Sequence, residues 1–81
     1  MPKYTPKYTF ISDPSHAWLR VPLKEIRGLD ISSFSFYDDN YAYLEEDCDA
    51  LTFMRAKGLT GNDVVERQVP HFNRNRRRIG Q

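Results

Sequence analysis

The chain has 81 residues, of which 40% are hydrophobic, 28% charged and 14% aromatic, and its formal net charge at pH 7 is +1. This length fits one small domain, and the apolar content is too high for a disordered chain. No apolar run approaches the roughly 18 residues of a membrane span. No hydrophobic segment follows Lys3 and Lys7, so we expect no secretory signal. The single cysteine, Cys48, excludes an internal disulfide and fits a reducing cytoplasm.

Two β-hairpins are predicted, one strand from a short β-rich run and the other three from runs in which apolar and polar residues alternate. The first joins Tyr8–Ser12 to a strand at residues 16–21 through the turn-forming segment Asp13-Pro14-Ser15. The second joins residues 31–37 to Tyr41–Glu45 through Asp38, Asp39 and Asn40. Asp and Asn favour tight turns because they tolerate positive φ and bond the local backbone.

Two helices are predicted from apolar spacing and from end signals. The first is short and covers residues 22–27, ending before Gly28. The second covers residues 48–57, with Asp47 as its N-cap and Gly58 as its stop. The stripe expected to face the sheet contains Ala50, Phe53, Met54 and Lys57, with Leu51 beside it.

The order of elements predicts an α+β fold. A last strand at residues 64–69 ends at Pro70, which gives the order β-β-α-β-β-α-β. A mostly antiparallel five-stranded sheet with two short helices on one face would bury all the apolar sides. Strand order is left open. We expect a flexible arm at residues 1–7, a single domain at residues 8–70 and a basic tail at residues 71–81.

Charges are segregated along the chain, although their sum is nearly neutral. Residues 38–49 contain six acids and no base, and residues 67–78 contain five arginines and no acid. The acids are Asp38, Asp39, Glu45, Glu46, Asp47 and Asp49, and the arginines are Arg67, Arg74, Arg76, Arg77 and Arg78. Segregated charge favours recognition of a macromolecule, although the two regions can also pair with each other.

The arginine-rich tail is the first candidate binding segment. Guanidinium groups bind phosphates, and the neighbouring Phe72 and asparagines can add stacking and base contacts. These residue types predict nucleic-acid binding by Arg74, Arg76, Arg77 and Arg78. Two alternatives remain open: docking on an acidic surface of the chain or of a partner, and a solubilising tail without a specific role.

The acidic run is the second candidate and predicts a surface for a basic partner protein. Asp38, Asp39, Glu45 and Glu46 are the proposed binding residues. Four acids of the run also have structural explanations, because Asp38 and Asp39 favour a turn while Asp47 and Asp49 favour a helix N-terminus. A calcium loop needs regularly spaced aspartates and a glycine. That spacing is missing, so we predict no metal site.

An aromatic sheet face is the third candidate. Trp18, Tyr37, Tyr41 and Tyr43 are predicted to lie on the face away from the helices. If exposed, this face suits a protein interface, with Trp18, Tyr41 and Tyr43 as partner-binding residues, or the stacking of nucleic-acid bases. The simpler alternative is that cross-strand aromatic pairs stabilise a small sheet.

No catalytic residue and no cofactor is predicted. Asp13, Ser15 and His16 have the residue types of a hydrolase triad, but neighbouring side chains on one strand diverge. Cys48 is expected to be a small, half-buried residue. A catalytic site would require Cys48 to meet His16 or His71 beside a carboxylate, and we expect these residues to lie far apart. The chain is therefore predicted not to be an enzyme.

Three segments resemble a group of small proteins encoded by bacteriophages and bacterial mobile elements. They are HAWLRVP at residues 16–22, YAYLEEDCD at residues 41–49 and MRAK at residues 54–57. The resemblance covers about residues 8–60. It implies a cytoplasmic accessory protein made in the host cell, and proteins of this kind commonly bind and redirect a host protein. It implies no activity and no site residues.

The first functional hypothesis is therefore a non-enzymatic protein that binds a macromolecular partner, above all a host protein, through a charge-segregated surface. The alternative is a small nucleic-acid-binding protein that uses the arginine tail. Neither hypothesis requires a membrane or a small-molecule substrate. The oligomeric state is left open.

Overall fold

The structure is a computed structural model that describes residues 7–73 and 76–79. Its elements are, in chain order, β1 (Tyr8–Ser12), β2 (Ala17–Pro22), β3 (Phe36–Tyr37), β4 (Tyr41–Glu45), α1 (Asp49–Lys57), β5 (Val64–Gln68) and β6 (Arg77–Arg78). Single turns of 3-10 helix lie at Leu23–Ile26 and Gly61–Asp63. Among the described residues no helix has the length and apolar character needed to cross a membrane. Most of the predicted arm (residues 1–6) and Arg74 of the predicted tail lie outside the described residues.

The strands form one six-stranded sheet in the order β5-β1-β2-β4-β3-β6. β5 pairs with β1 in parallel, and the other neighbours are antiparallel. The predicted α+β class is confirmed. The finer prediction is wrong in two respects, because the sheet has a sixth strand and the described residues contain one α-helix instead of two.

Both predicted hairpins form, and β1 and β4 have the predicted bounds. An aspartate fixes each turn with one carboxylate oxygen. Asp13 Oδ1 accepts the backbone N–H groups of Ser15 and His16, both at 2.8 Å. In the second turn, Asp38 Oδ1 accepts those of Asn40 at 3.0 Å and Tyr41 at 2.8 Å. These bonds replace backbone pairing lost at the turn and hold the register of the strands.

Two predicted elements are shorter than the sequence pattern indicated. The helix predicted at residues 22–27 is the single 3-10 turn at Leu23–Ile26. Leu23 and Ile26 are only partly buried against the core, and a two-turn helix depends on fuller packing. The strand predicted at residues 31–37 is reduced to β3. Ser32 and Ser35, in the part that does not form a strand, bond to Asp49 instead of joining the sheet.

Helix α1 covers one face of the sheet. Ala50 and Phe53 are buried there, and Met54 packs beside them, as predicted. Lys57 and Leu51 are exposed, so the stripe is narrower than predicted. The helix begins one residue later than predicted, with Cys48 rather than Asp47 at the N-cap. Gly58 ends it as predicted, at φ 66°, a value that favours glycine. The main core lies between α1 and the sheet and includes Tyr8, Leu19, Val21, Ala42, Leu44, Ala50 and Phe53.

The other face of the sheet is covered by the C-terminal strap, which we define as residues 69–73 and 76–79. The backbone N–H of Val69 donates to Ser12 O at 2.8 Å, and that of Ile79 donates to Ser35 O at 2.9 Å. The strap thus crosses the sheet from the β1 side to the β3 side, and β6 is part of it. A second core cluster forms beneath it and contains Ile11, Trp18, Phe36, Tyr43 and Phe72. Few apolar residues mark this segment, which is why the sequence pattern missed the sixth strand.

Candidate functional site

An open groove of about 420 Å³ lies where the end of β4, the start of β2 and the chain before β3 meet. We call it the aromatic groove. Its lining consists of His16, Trp18, Ser32, Phe34, Phe36, Glu45, Cys48 and Arg78. Three of these side chains are aromatic rings of Trp or Phe, so the groove offers mainly apolar surface with charged groups among it. Sites for ligands and for anchoring side chains commonly combine these features.

The loop that borders the groove is held by a buried carboxylate. We call residues 32–35 the serine loop. Asp49, which is fully buried, accepts the backbone N–H of Ser32 at 3.0 Å and its hydroxyl at 2.6 Å. The Ser35 hydroxyl also donates to Asp49, while its oxygen accepts the backbone N–H of Glu45 at 2.9 Å. The first residue of α1 therefore fixes the serine loop against β4.

Phe34 lies at the tip of the serine loop and is 67% exposed. Phe34 and Phe36 alternate with serines in the strand predicted at residues 31–37, but only Phe36 lies in the sheet. Phe36 is buried under the strap, whereas Phe34 remains outside because the loop turns away from the sheet. A large apolar side chain that is held in water by a rigid loop, beside an apolar groove, is typical of an interaction site.

The predicted acidic residues have two different roles. Asp49 is buried in the serine-loop network, and Asp38 contacts the strap. Glu45 lines the aromatic groove, and Glu46 and Asp47 are exposed in the turn that follows it. Asp39 is also exposed but lines a separate small concavity with Tyr37, Asp38, Arg76 and Arg77. The structure thus places Glu45 in the groove, with Glu46 and Asp47 exposed in the turn that follows it, and keeps Asp38 and Asp39 apart from it.

The predicted aromatic face is largely closed. Trp18 and Tyr43 are 3% and 5% exposed because Phe72 of the strap covers them. Tyr41 remains partly open, with the Arg20 guanidinium 4.9 Å from the centre of its ring. Tyr37 pairs with Ala42 and so belongs to the helix-covered face. Trp18 reaches the aromatic groove only as part of its wall.

The predicted nucleic-acid-binding arginines lie in different environments. Arg76 lies over the rings of Tyr43 at 4.3 Å and Phe72 at 5.0 Å, and its Nε is 3.6 Å from the Asp38 carboxylate. Arg78 donates to Ser33 O at 3.0 Å and lies over Phe36. Arg77 is exposed. Arg74 lies outside the described residues.

Asp38 and Tyr43, which are joined by a hydrogen bond beneath the strap, both have shifted pKa values. Burial tends to raise the pKa of Asp38, but hydrogen bonds from the Asn40 and Tyr41 backbone, the Tyr43 hydroxyl and Arg76 outweigh it and hold that pKa below its ordinary value. Burial and the bond to Asp38, at 2.8 Å, raise the pKa of Tyr43. The pair therefore stays as carboxylate and phenol at neutral pH.

His16 and Cys48 line the same groove as Glu45, although we expected His16 and Cys48 to lie far apart. Cys48 is exposed rather than half-buried. His16 packs against Trp18, with ring centroids 5.7 Å apart. The other triad-like residue types, Asp13 and Ser15, are joined by the turn bond described above. Within residues 7–73 and 76–79, no group of three or more His, Cys, Asp or Glu side chains is arranged to hold a metal ion.

No known family model, curated protein or solved structure matches the chain. The resemblance to proteins of phages and mobile elements therefore stays a prediction, as does the cytoplasmic location. Phe34 is the main residue of the site that sequence reasoning missed. The signal was present in Ser32, Ser33 and Ser35 around it, because closely spaced serines compete with strand pairing by bonding to nearby groups.

Proposed function

We propose that this chain is a non-enzymatic binding protein that recognises a segment of a partner protein in the aromatic groove. The segment carries one apolar side chain and one or two basic residues. The observation that supports this function best is the position of Phe34, which is 67% exposed beside a mainly apolar groove. Burial of such an aromatic ring by a partner contributes strongly to binding.

The serine loop lowers the entropy cost of burying Phe34 against a partner. Its backbone is already fixed by the bonds from Ser32 and Ser35 to Asp49. A partner therefore meets Phe34 in one place, and little loop entropy remains to be lost on binding. In a mobile loop, the same exposed ring would contribute less.

Charge defines the chemistry of the partner. Glu45 lines the groove, and the exposed Glu46 and Asp47 continue the acidic surface directly before Cys48. Lysine or arginine next to the apolar anchor would meet these carboxylates and would speed association. Arg78 is the basic residue of the groove, and its guanidinium is already bonded to the Ser33 carbonyl.

The non-enzymatic part of the proposal rests on what the groove residues do. Glu45 presents charge, and His16 packs on Trp18. Cys48 is an exposed member of the wall. Replacement of its thiol by a hydroxyl in Cys48→Ser should leave peptide binding unchanged, whereas a thiol-dependent reaction would be lost.

Nucleic-acid binding is the second candidate, favoured by the exposure of Arg77 and Arg78 on the edge strand β6. It predicts a gel shift of single-stranded DNA or RNA at low salt that weakens steeply as salt is added. Arg77→Gln should then reduce the shift. A partner-protein function predicts that Arg77→Gln leaves peptide binding intact.

Selection from a library of random short peptides displayed on particles tests the first candidate with the full chain as bait. The selected peptides should share an aromatic or aliphatic residue flanked by lysine or arginine. Phe34→Ser should weaken their binding more than about tenfold. Val65→Thr is the matched control, since Val65 is also an exposed apolar residue, 48% exposed, on the opposite edge strand. Peptides that bind wild type and Phe34→Ser equally would refute the proposal.

A further inference from the structure

A second groove, of about 200 Å³, lies along the strap and is rich in cationic side chains. We call it the basic groove. Arg20, Arg67, His71 and Arg76 line it, together with Tyr43 and Phe72. It is separate from the aromatic groove, because none of the residues that the structure describes lines both.

The sheet brings the arginines together from segments that are distant in sequence. Arg67 pairs with Ile11, which in turn pairs with Trp18, and Arg20 is two residues further along β2. Since alternate residues of a strand share a face, Arg20 and Arg67 lie on the strap-covered side. Arg76 and His71 reach the groove from the strap itself.

No carboxylate is among the described residues that line the basic groove. The lining itself therefore does not neutralise the charge of its arginines. Arg20 and Arg67 form no ion pair with any described carboxylate. Arg76 is 3.6 Å from Asp38, which also caps its own turn and accepts from Tyr43. Asp13 is a second carboxylate that bonds to the strap, and it accepts the backbone N–H of Phe72 at 3.2 Å.

Aromatic rings hold two of these guanidinium groups in place. Arg20 lies over Tyr41, and Arg76 lies over Tyr43 and Phe72. Such contacts fix the direction of a cation without removing its charge. Like charges that converge on one small concavity repel each other, and a bound anion converts this repulsion into attraction.

We propose that the basic groove binds a phosphate group. The planar donor fork of arginine matches phosphate oxygens, and three arginines with one imidazole supply enough donors for a phosphate or diphosphate. The groove volume suits such a group rather than a whole nucleotide. This site goes beyond the proposed partner-protein function, because it uses other residues and a different ligand. The phosphate belongs to a small molecule or to a nucleic-acid backbone.

Calorimetric titration of the full chain with sodium pyrophosphate at low ionic strength tests the proposal, with inorganic phosphate as a second probe. Arg67→Gln should weaken pyrophosphate binding about tenfold or more, because a charge-assisted hydrogen bond is lost. Arg55→Gln is the matched control, since it removes the same charge from an exposed position on α1, on the opposite face of the sheet. Thermal unfolding of both variants confirms that the fold is retained.

A short single-stranded oligonucleotide forms the other arm of the experiment. Oligonucleotide binding that depends on Arg67 and is displaced by pyrophosphate assigns the phosphate to a nucleic-acid backbone. Binding of pyrophosphate alone assigns it to a small molecule, and both results support the site. The site is refuted when neither probe binds the wild-type chain, or when Arg67→Gln and Arg55→Gln lose affinity equally.

Discussion

Phe72 stacks on Trp18, with ring centroids 4.1 Å apart and an angle of 20° between the ring planes. The contact joins the strap to β2 across the face of the sheet that α1 does not cover. Tyr43 adds a third ring, 5.4 Å from Phe72. Without Phe72 these two residues of the sheet would form an open aromatic face, as the sequence pattern suggested. The strap therefore turns a candidate binding surface into a second core.

Replacement of Phe72 by alanine should destabilise the protein by about 3–5 kcal/mol, because it removes a buried ring and leaves a cavity beneath the strap. Urea unfolding measures this change. Emission from Trp18, the only tryptophan, should also shift to longer wavelength as water reaches its ring. Phe72→Leu is the control that keeps most of the volume, and it should lose less stability. Wild-type stability in Phe72→Ala would show that the strap does not cover this face in solution.

Local sequence signals were sufficient for the elements whose partners are near in sequence. β1 is rich in β-favouring residues, β4 alternates, each lies beside an aspartate turn, and α1 ends at a glycine, so each follows from its own residues. β6 could not be predicted in this way. Its two arginines carry no strand pattern, and they pair with β3 because Phe72 and Ile79 anchor the strap on either side. That anchoring depends on residues scattered through the whole chain.

Local sequence signals were likewise insufficient to predict the aromatic groove. Alternation in residues 31–37 predicted a strand, of which only Phe36–Tyr37 forms. It could not show that Asp49, which looked like a residue of the helix N-terminus, would draw Ser32 and Ser35 out of the strand. Once that pairing exists, Phe34 is exposed and the groove forms beside it. The site thus depends on one tertiary bond network, of which the closely spaced serines are the local sign and the partner Asp49 is not.

Ser35→Ala should destabilise the protein by about 1–3 kcal/mol. The variant leaves the backbone N–H of Glu45 without its acceptor and removes a hydroxyl donor from the buried Asp49 carboxylate. Chemical denaturation measures the loss, and weaker binding of the selected peptides should accompany it because Phe34 is less firmly placed. Ser33→Ala changes an exposed serine of the same loop and should leave the free energy of unfolding nearly unchanged. Equal effects of the two substitutions would contradict the proposed role of the network.

Tyr8 should make the fold sensitive to alkali. Burial and the hydrogen bond from its hydroxyl to Glu25, at 2.6 Å, raise the pKa of Tyr8 from 10.0 to about 12. A phenol with a higher pKa in the folded state stabilises the fold fully below the unfolded value, and this contribution is lost as pH rises. The free energy of unfolding should therefore fall between pH 10 and about 12. Tyr8→Phe should have a shallower decline over that range, and an identical decline in both proteins would refute this assignment.

The two turn aspartates each serve two segments of the chain. Oδ1 of Asp13 and of Asp38 binds the backbone of its own hairpin. The second oxygen reaches the strap, where Asp13 accepts from the Phe72 backbone and Asp38 approaches Arg76. The strap is thus secured at two points by carboxylates whose first role is local. This double use explains why Asp38 is not available as a partner-binding residue without loosening the strap.

Asp38 should contribute to stability in a pH-dependent way, with the opposite sign to Tyr8. Its pKa is lower in the folded protein than in the unfolded chain, mainly because backbone N–H groups, Tyr43 and Arg76 bond to the carboxylate and outweigh the effect of burial. The stabilisation is present above the unfolded pKa of about 3.9 and is lost as pH falls towards the folded value. Asp38→Asn should therefore flatten the acid limb of the stability curve below about pH 4. Asp39→Asn removes the same charge from an exposed neighbour that has no such bonds, and it should retain that limb. An unchanged acid limb in Asp38→Asn would show that the carboxylate does not make these bonds in solution.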